Sequence, residues 1–585
     1  MAVNQLEDVI QRWRTIEDFK PEDHELFLNA GHTCIAQGDG TLLLNFIKDE
    51  ANKHIVRSMG GGLVPALVSE VLRNGSSAVH CQAILSQLVQ ICRVKEVLNT
   101  LLQQVDDADP NAIADSIIVL MPLIQSVLLR MSELKAPGLS MALDSLQKQI
   151  SKLPVPYSNK QEQEDVYGLC RCCTAVVTFV QPFVQEVKNQ DTNSAATSLR
   201  ATLLKFCMNS LREPLLQAQL DREENTTEIL PLWNFAAEIM AILVVIQGSL
   251  PKILFYHPVR GQEDGMLEKQ VCHPDESKAC IAYLLFVQLI AIDVFPAVFS
   301  PVFVLQCNME YINLLLSRKD ESWILKGLDL HVKSLERLTA CSLPVELLDL
   351  KPFHEVPQSL IKIMIECPIQ HLRGRSLVVF QLFIEKLNGE AKHKFFRRII
   401  KTSHHAGVES TILKNIKNQV EQTRKSIYQD GWFEGTRLIS LLRDTICLPQ
   451  GHETDLLHGM DRVMESLNLL RYLLIQKRGI STGEWTDLCH IAETYTKLLR
   501  VCLNMSKSYY GMELKRLREN KKIKAKEYKE ASGKRSVKSL IVKTETLGSM
   551  PPEAQDKVLE CALVTFDLME SLVVRIEEIS EESQK

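Results

Sequence analysis

Along almost the whole of this chain the apolar residues recur in steps of three and four. Between Asp109 and Met131 they fall at Ile113, Ile117, Leu120, Met121, Ile124, Val127, Leu128 and Met131. Such steps lay one apolar stripe along one face of a helix, whereas a half-buried strand needs strict alternation. No long window alternates in that way. Asp109 is placed to cap this helix and Pro110 to occupy its first turn; Pro122, inside the pattern, is expected to kink it. The punctuation agrees, with 25 Gly and 22 Pro in 585 residues, fewer than the many turns of a β-rich chain would need. The fold class expected is all-α.

The clearest periodic stretch runs from His354 to Gln429. One helix carries Val356, Leu360, Ile363 and Met364 and stops near Cys367–Pro368. A second carries Leu372, Ser376, Val379, Phe380 and Phe383 and stops near Asn388–Gly389, read as a helix C-terminus. A third passes Phe395 and Ile399 to a break at His404–Gly407, and a fourth carries Val408, Ile412, Ile416 and Val420. The first and third start roughly 37 residues apart, near the HEAT/armadillo period of about 40. No residue string recurs, so the repeat is degenerate. One helix pair cannot bury its apolar face alone, and stacked neighbours make a HEAT/armadillo-like solenoid with a long edge for partners. The organisation expected is an N-terminal helical-repeat region over 1–255, a loop over 256–278, and a C-terminal HEAT-like region over 279–585. That last region includes a mobile loop near 531–551 and a terminal capping helix bearing Val558, Leu559, Ala562, Phe566, Met569 and Leu572.

With 67 basic and 72 acidic residues, the chain as a whole is not built to neutralise phosphates. The start, MAVNQLEDVIQRW, lacks a basic segment followed by an apolar one, so no secretory signal is expected. Most of the 16 cysteines sit within apolar helical patterns, as small buried hydrophobes do, and a reducing cytoplasm suits them. The most apolar stretch, Cys280–Gln306, is interrupted by Gln288, Asp293, Pro296 and Pro301 and reads as a buried helix pair, not a membrane span.

Motifs for chemistry are few. Met59-Gly-Gly-Gly62 lacks the lysine and spacing of a phosphate loop and reads as an interhelical turn. Cys170, Cys172 and Cys173 have no second pair at zinc spacing, and Cys173 shares a face with Leu169, Val176, Val177 and Val180, as a core thiol would. His404 and His405 are adjacent and cannot both face one ion as the two histidines of HExxH do. No GxSxG elbow is present. The reading is therefore a protein without a catalytic centre, cofactor or metal.

Two features suit contact with partners instead. Lys414, Lys417, Arg424 and Lys425 are followed by Tyr428, Trp432 and Phe433, and binding hot spots are rich in Trp, Tyr and Arg. The bland alternative is a solvated face and a core Trp. The segment Leu514–Lys529 holds eight basic and two acidic residues; it reads either as a solvated helix or as a site for an acidic partner.

Several strings, spread in order over most of the chain, carry a resemblance: Leu153–Ser158 (LPVPYS), Tyr167–Cys170 (YGLC) with Cys172 and Cys173, and Ile416–Gln419 (IKNQ). They continue with Leu438–Leu442 (LISLL), Ser466–Leu473 (SLNLLRYL), Leu503–Lys507 (LNMSK) and Met550–Glu553 (MPPE). In these the chain resembles the glomulin family of HEAT-like proteins. The stretch around 257–278 and the Lys-rich 515–529 segment depart from that pattern. The resemblance implies an inhibitor of cullin–RING ubiquitin ligases. Its C-terminal HEAT-like region would bind the RING-box subunit and cover the surface that receives the ubiquitin-conjugating enzyme. It also implies association with an FK506-binding immunophilin and with the hepatocyte growth factor receptor. The contact residues expected from local chemistry are Lys414, Lys417, Arg424, Lys425, Trp432 and Phe433. The competing reading is an immunophilin or receptor adaptor using the N-terminal half. A metal-dependent enzyme and a nucleic-acid adaptor rank below both.

Overall fold

The computed structural model describes residues 9–15, 19–37, 40–73, 78–132, 134–189, 194–220, 230–255, 274–425, 431–477, 483–530 and 551–582. Among them the secondary structure is helical, apart from one isolated bridge between Leu343 and Leu387. They fall into two compact units, Met1–Arg337 and Leu338–Lys585.

In the first unit, successive helices pack side by side. The stripe read from the sequence forms α1 (Ile113–Leu129), which buries Ile113, Ile117, Leu120, Met121, Ile124, Val127 and Leu128. Asp109 does not cap it. Its carboxylate accepts from the Asn111 N–H at 2.8 Å, closing a turn that ends before Ile113. Next along, α2 (Leu169–Asn189) lies between α1 and α3 (Pro231–Gln247). Cys170, Cys172 and Cys173 are buried in α2 beside Val176 and Val180, as core residues. Burial first, then the Asp165 carboxylate, pushes the Cys172 thiol up to about 12. The Gly60–Leu63 turn joins two short helices, and two of its three glycines serve close packing: a Cβ on Gly60 would stand 2.8 Å from Leu88 Cδ2, and one on Gly62 2.6 Å from Leu28 Cδ2.

The unit closes with α4 (Asp275–Phe286), α5 (Pro301–Leu316) and α6 (Glu321–Glu336), packed on one another. Every residue of α4 from Ser277 to Phe286 is buried, but the apolar stretch around it is not uniformly a buried pair. Left-handed Leu289 and Ala291 break the helix, and Leu289, Val294 and Val298 are exposed. The unit boundary also differs from the sequence division. Residues 256–273 lie outside the described residues, and the units divide at Arg337. The reason is packing: the Ser277 hydroxyl donates to the Met208 carbonyl at 2.7 Å, and the Lys326 ammonium donates to the Ala218 carbonyl. Both tie α4–α6 to residues that precede the polar stretch.

The second unit contains the four expected helices as α7 (Lys351–Glu366), α8 (Gln370–Lys386), α9 (Gly389–Thr402) and α10 (Ala406–Lys425). Asn388 is the N-cap of α9, its side-chain oxygen accepting from the Ala391 N–H at 2.8 Å, and not the C-terminus of α8 as the sequence reading had it. His404 and His405 occupy the break between α9 and α10. Phe353, Phe380, Phe383, Phe395 and Phe396 fill the core between these helices. Further on come α11 (Gly435–Thr445), α12 (Leu456–Lys477), α13 (Gly483–Glu530) and α14 (Pro552–Glu582). The loop near 531–551 lies outside the described residues except for Pro551. Helix α14 packs on both α12 and α13 through Leu559, Ala562, Phe566, Met569 and Val573, so the expected terminal helix is present. Two of the six residues read as its apolar stripe, Val558 and Leu572, are only half-buried.

Candidate protein-interaction surface

Helix α10 runs alongside α12, and polar pairs set the register between them. At its start the buried Arg462 guanidinium of α12 meets the buried Glu409 carboxylate at 3.1 Å and also donates to the Thr445 carbonyl at 3.3 Å. One turn on, Lys414 reaches Glu465 at 3.5 Å. Lys417 lies over the Tyr472 ring, 5.3 Å from its centroid, and Arg424 donates to the Gln476 amide oxygen. The partners on α12 rise in step with the residues on α10, so the two helices are parallel. Three of the four basic residues singled out from the sequence thus line one seam.

The fourth, Lys425, pairs with Glu421 of its own helix at 2.6 Å, and its side chain stays 74% exposed. The hydrogen bond from Lys425 holds the Glu421 carboxyl below its ordinary value, and the same bond raises Lys425. Such exposed pairs contribute little to stability, which leaves Lys425 open to an incoming carboxylate.

Trp432 and Phe433 part company. Phe433 is 1% exposed and packs on Phe396 at 5.9 Å between ring centroids and on His393 at 6.0 Å. It belongs to the core, a correction to its place in the expected contact set: the turn into α11 aims consecutive side chains in different directions, and Phe433 takes the inward one. Trp432 is half-buried. Its ring is held by the Arg437 guanidinium, 4.1 Å from the centroid, and by His393 at 5.5 Å. Burial pushes the His393 imidazole down, against the opposing pull of its contact with the Arg437 carbonyl, so the ring beside Trp432 favours the neutral form.

Between these groups lies a cavity of about 530 Å³, lined by Arg424, Phe433, Glu434, Arg437, Gln476 and Glu484 among others. Arg437, Gln476 and Glu484 were not singled out from the sequence. Arg437 falls five residues after Trp432 with no motif to mark it, and Gln476 and Glu484 come from segments far along the chain. What the edge offers is recognition: cations of both kinds, an anchored indole and adjoining carboxylates, held on rigid helices.

Helices that stack in chain order and carry a mixed cationic and aromatic edge define a helical-repeat scaffold that works by binding other proteins. The chain belongs to the family described as "Uncharacterised protein family, YAP/Alf4/glomulin", which it matches over residues 1–549. It is 42% identical to glomulin of Mus musculus, the match covering 100% of this chain and 98% of that protein. It is likewise 42% identical to glomulin of Homo sapiens, covering 99% and 98%. Among solved structures it has a slight likeness to Kap121p, 10% identical with a TM-score of 0.22, covering 85% of this chain and 54% of that one.

Proposed function

We propose that this chain is a protein inhibitor of cullin–RING ubiquitin ligases in the cytoplasm, and that its second unit binds the RING-box subunit over the surface used by the ubiquitin-conjugating enzyme. The observation that carries the reading is identity of 42% to glomulin sustained over the full length of both proteins. The mechanism needs no reactive group. A masking protein needs a face that does not rearrange and enough buried area, typically about 1,200–2,000 Å² in total. The α10–α12 seam supports this role because Lys414, Lys417 and Arg424 are positioned by Glu465, the Tyr472 ring and Gln476, and the indole of nearby Trp432 is held between Arg437 and His393. Lys425 and Trp432 are the contacts on which the reading depends most, with Lys414, Lys417 and Arg424 beside them.

The test is ubiquitin transfer by a purified cullin–RING-box complex, titrated with the full chain. Stoichiometric inhibition that excess conjugating enzyme relieves is expected. Lys425→Glu and Trp432→Ala should each weaken RING-box binding at least about tenfold while leaving the circular dichroism unchanged. Inhibition unaltered in both variants would place the contact elsewhere on the chain. Absence of inhibition by the folded protein would favour the adaptor reading, with an FK506-binding immunophilin or the hepatocyte growth factor receptor as partner.

A further inference from the structure

The outer face of α13 carries Val501, Met505, Tyr509 and Met512, exposed by 47, 53, 60 and 65%. Their spacing of four, four and three places them in one stripe. The opposite face is spent on the interior, where Cys502, Leu503, Tyr510 and Leu514 are buried. Tyr510 shows how sharply the faces divide. Its hydroxyl donates to Asp455 at 2.8 Å and its ring lies against Phe566, while the neighbouring Tyr509 points out.

Helix α14 does not cover the stripe. It meets α13 along a third side, through Arg500 with Glu577 at 2.9 Å, Lys507 with Asp567 at 2.7 Å, and Arg518 with Asp556 at 3.0 Å. These pairs run antiparallel, which brings Met512 level with Val564 and Tyr509 level with Leu568. Val564 and Leu568 are themselves 59 and 54% exposed. The last helix pair of a stacked array normally turns a polar face outward, because no further repeat covers it. This pair instead presents methionine, tyrosine and aliphatic side chains to solvent.

The charge at one end of the stripe selects the occupant. Lys515, Arg516 and Lys522 are exposed within three turns of Met512. Lys515 and Lys522 have no carboxylate within ion-pair distance among the described residues, whereas Arg516 faces Glu513 at 3.7 Å. In a symmetric antiparallel pairing of two copies over Val501–Met512, Lys515 and Lys522 would face the levels of Leu498 and Ile491 of the other copy and gain no carboxylate there. We propose that the outer face of α13 is a docking site for an amphipathic helix of a partner protein, its apolar side on Val501–Met512 and acidic residues against Lys515 and Lys522. Methionine-rich stripes suit such helices because the flexible thioether adapts to their side chains. This surface is separate from the α10–α12 seam and stands independently of the inhibitor reading.

The probe is a fluorescein-labelled synthetic helix of about 20 residues, with leucines at i, i+4, i+7 and i+11 and glutamates flanking them. A control peptide carries lysines in place of the glutamates. Anisotropy with the full chain should show saturable binding of the glutamate peptide that weakens as salt rises. Met505→Lys and Met512→Glu should each reduce affinity at least about tenfold. Lys515→Glu with Lys522→Glu should reverse the preference in favour of the lysine peptide. All of these positions are exposed, and unchanged circular dichroism and melting would confirm that the variants fold. Equal binding of the two peptides, or no saturable binding, would overturn the proposal. So would a dimer in sedimentation that Met505→Lys abolishes, because the occupant would then be a second copy.

Discussion

Arg462→Met should loosen the seam on which the candidate contact residues sit. The Arg462 and Glu409 side chains are 8 and 6% exposed, and the substitution leaves the Glu409 carboxylate without its cation in a buried setting. Breaking a buried pair from one side costs about 3–5 kcal/mol, most of it the penalty of the stranded charge. The lost donations to the Thr445 carbonyl and the Cys447 sulfur act in the same direction. At about 1.4 kcal/mol per factor of ten, amides of α10 and α12 that exchange by opening of this seam should exchange roughly a hundred- to several-thousand-fold faster. Hydrogen exchange read by mass spectrometry on peptides from residues 406–425 and 456–477 measures this directly. The double variant Glu409→Leu with Arg462→Met removes both charges and should recover most of the protection, because a packed apolar pair often equals a buried ion pair. Exchange in Arg462→Met no faster than in the parent would refute the reasoning, as would a double variant as labile as the single one. Since Lys414, Lys417 and Arg424 find their partners in this same register, the single variant should also weaken partner binding through the seam.

Other outcomes follow from the same packing. Phe433→Ala should destabilise the second unit by about 3–5 kcal/mol in urea unfolding, whereas Trp432→Ala, at a half-buried position, should cost less there and show its main effect on binding. Burial pushes the wholly enclosed His331 imidazole down to about 3 from 6.5. As pH falls through that window the unfolded chain takes up the proton first, so this group withdraws stability, by at most about 1.4 kcal/mol per pH unit. Melting of His331→Gln should accordingly depend less on pH between about 6 and 4 than that of the parent. Iodoacetamide should label the exposed Cys341, Cys447 and Cys561 in the native protein, while Cys172 and Cys280, both buried with thiols pushed up to about 12, should label only after unfolding; peptide mass spectrometry reads the order.

The helical class of this protein is written in its sequence, because a helix is a local object. The spacing of Ile113, Ile117, Leu120 and Ile124 defines a buried stripe whatever lies against it, and the break at Cys367–Pro368 stops a helix through backbone chemistry alone, whereas Gly407, read as part of a break, lies inside α10. The same locality explains why Cys173 could be placed in a core from its neighbours on α2. Capping was less legible. Asp109 and Asn388 carry the right groups, but which backbone N–H each side chain meets depends on one turn of geometry that residue type does not set. Tertiary structure alone decided the rest. The boundary at Arg337 follows from hydrogen bonds joining Lys326 to Ala218 and Ser277 to Met208, partners far apart in the chain. Whether Lys414 and Arg424 are free or paired depends on Glu465 and Gln476, and the same turn sends Phe433 inward and leaves Trp432 at the edge. Periodicity records which face of each helix is apolar, but the neighbour that covers that face, or leaves it open as on α13, is chosen only when distant helices pack.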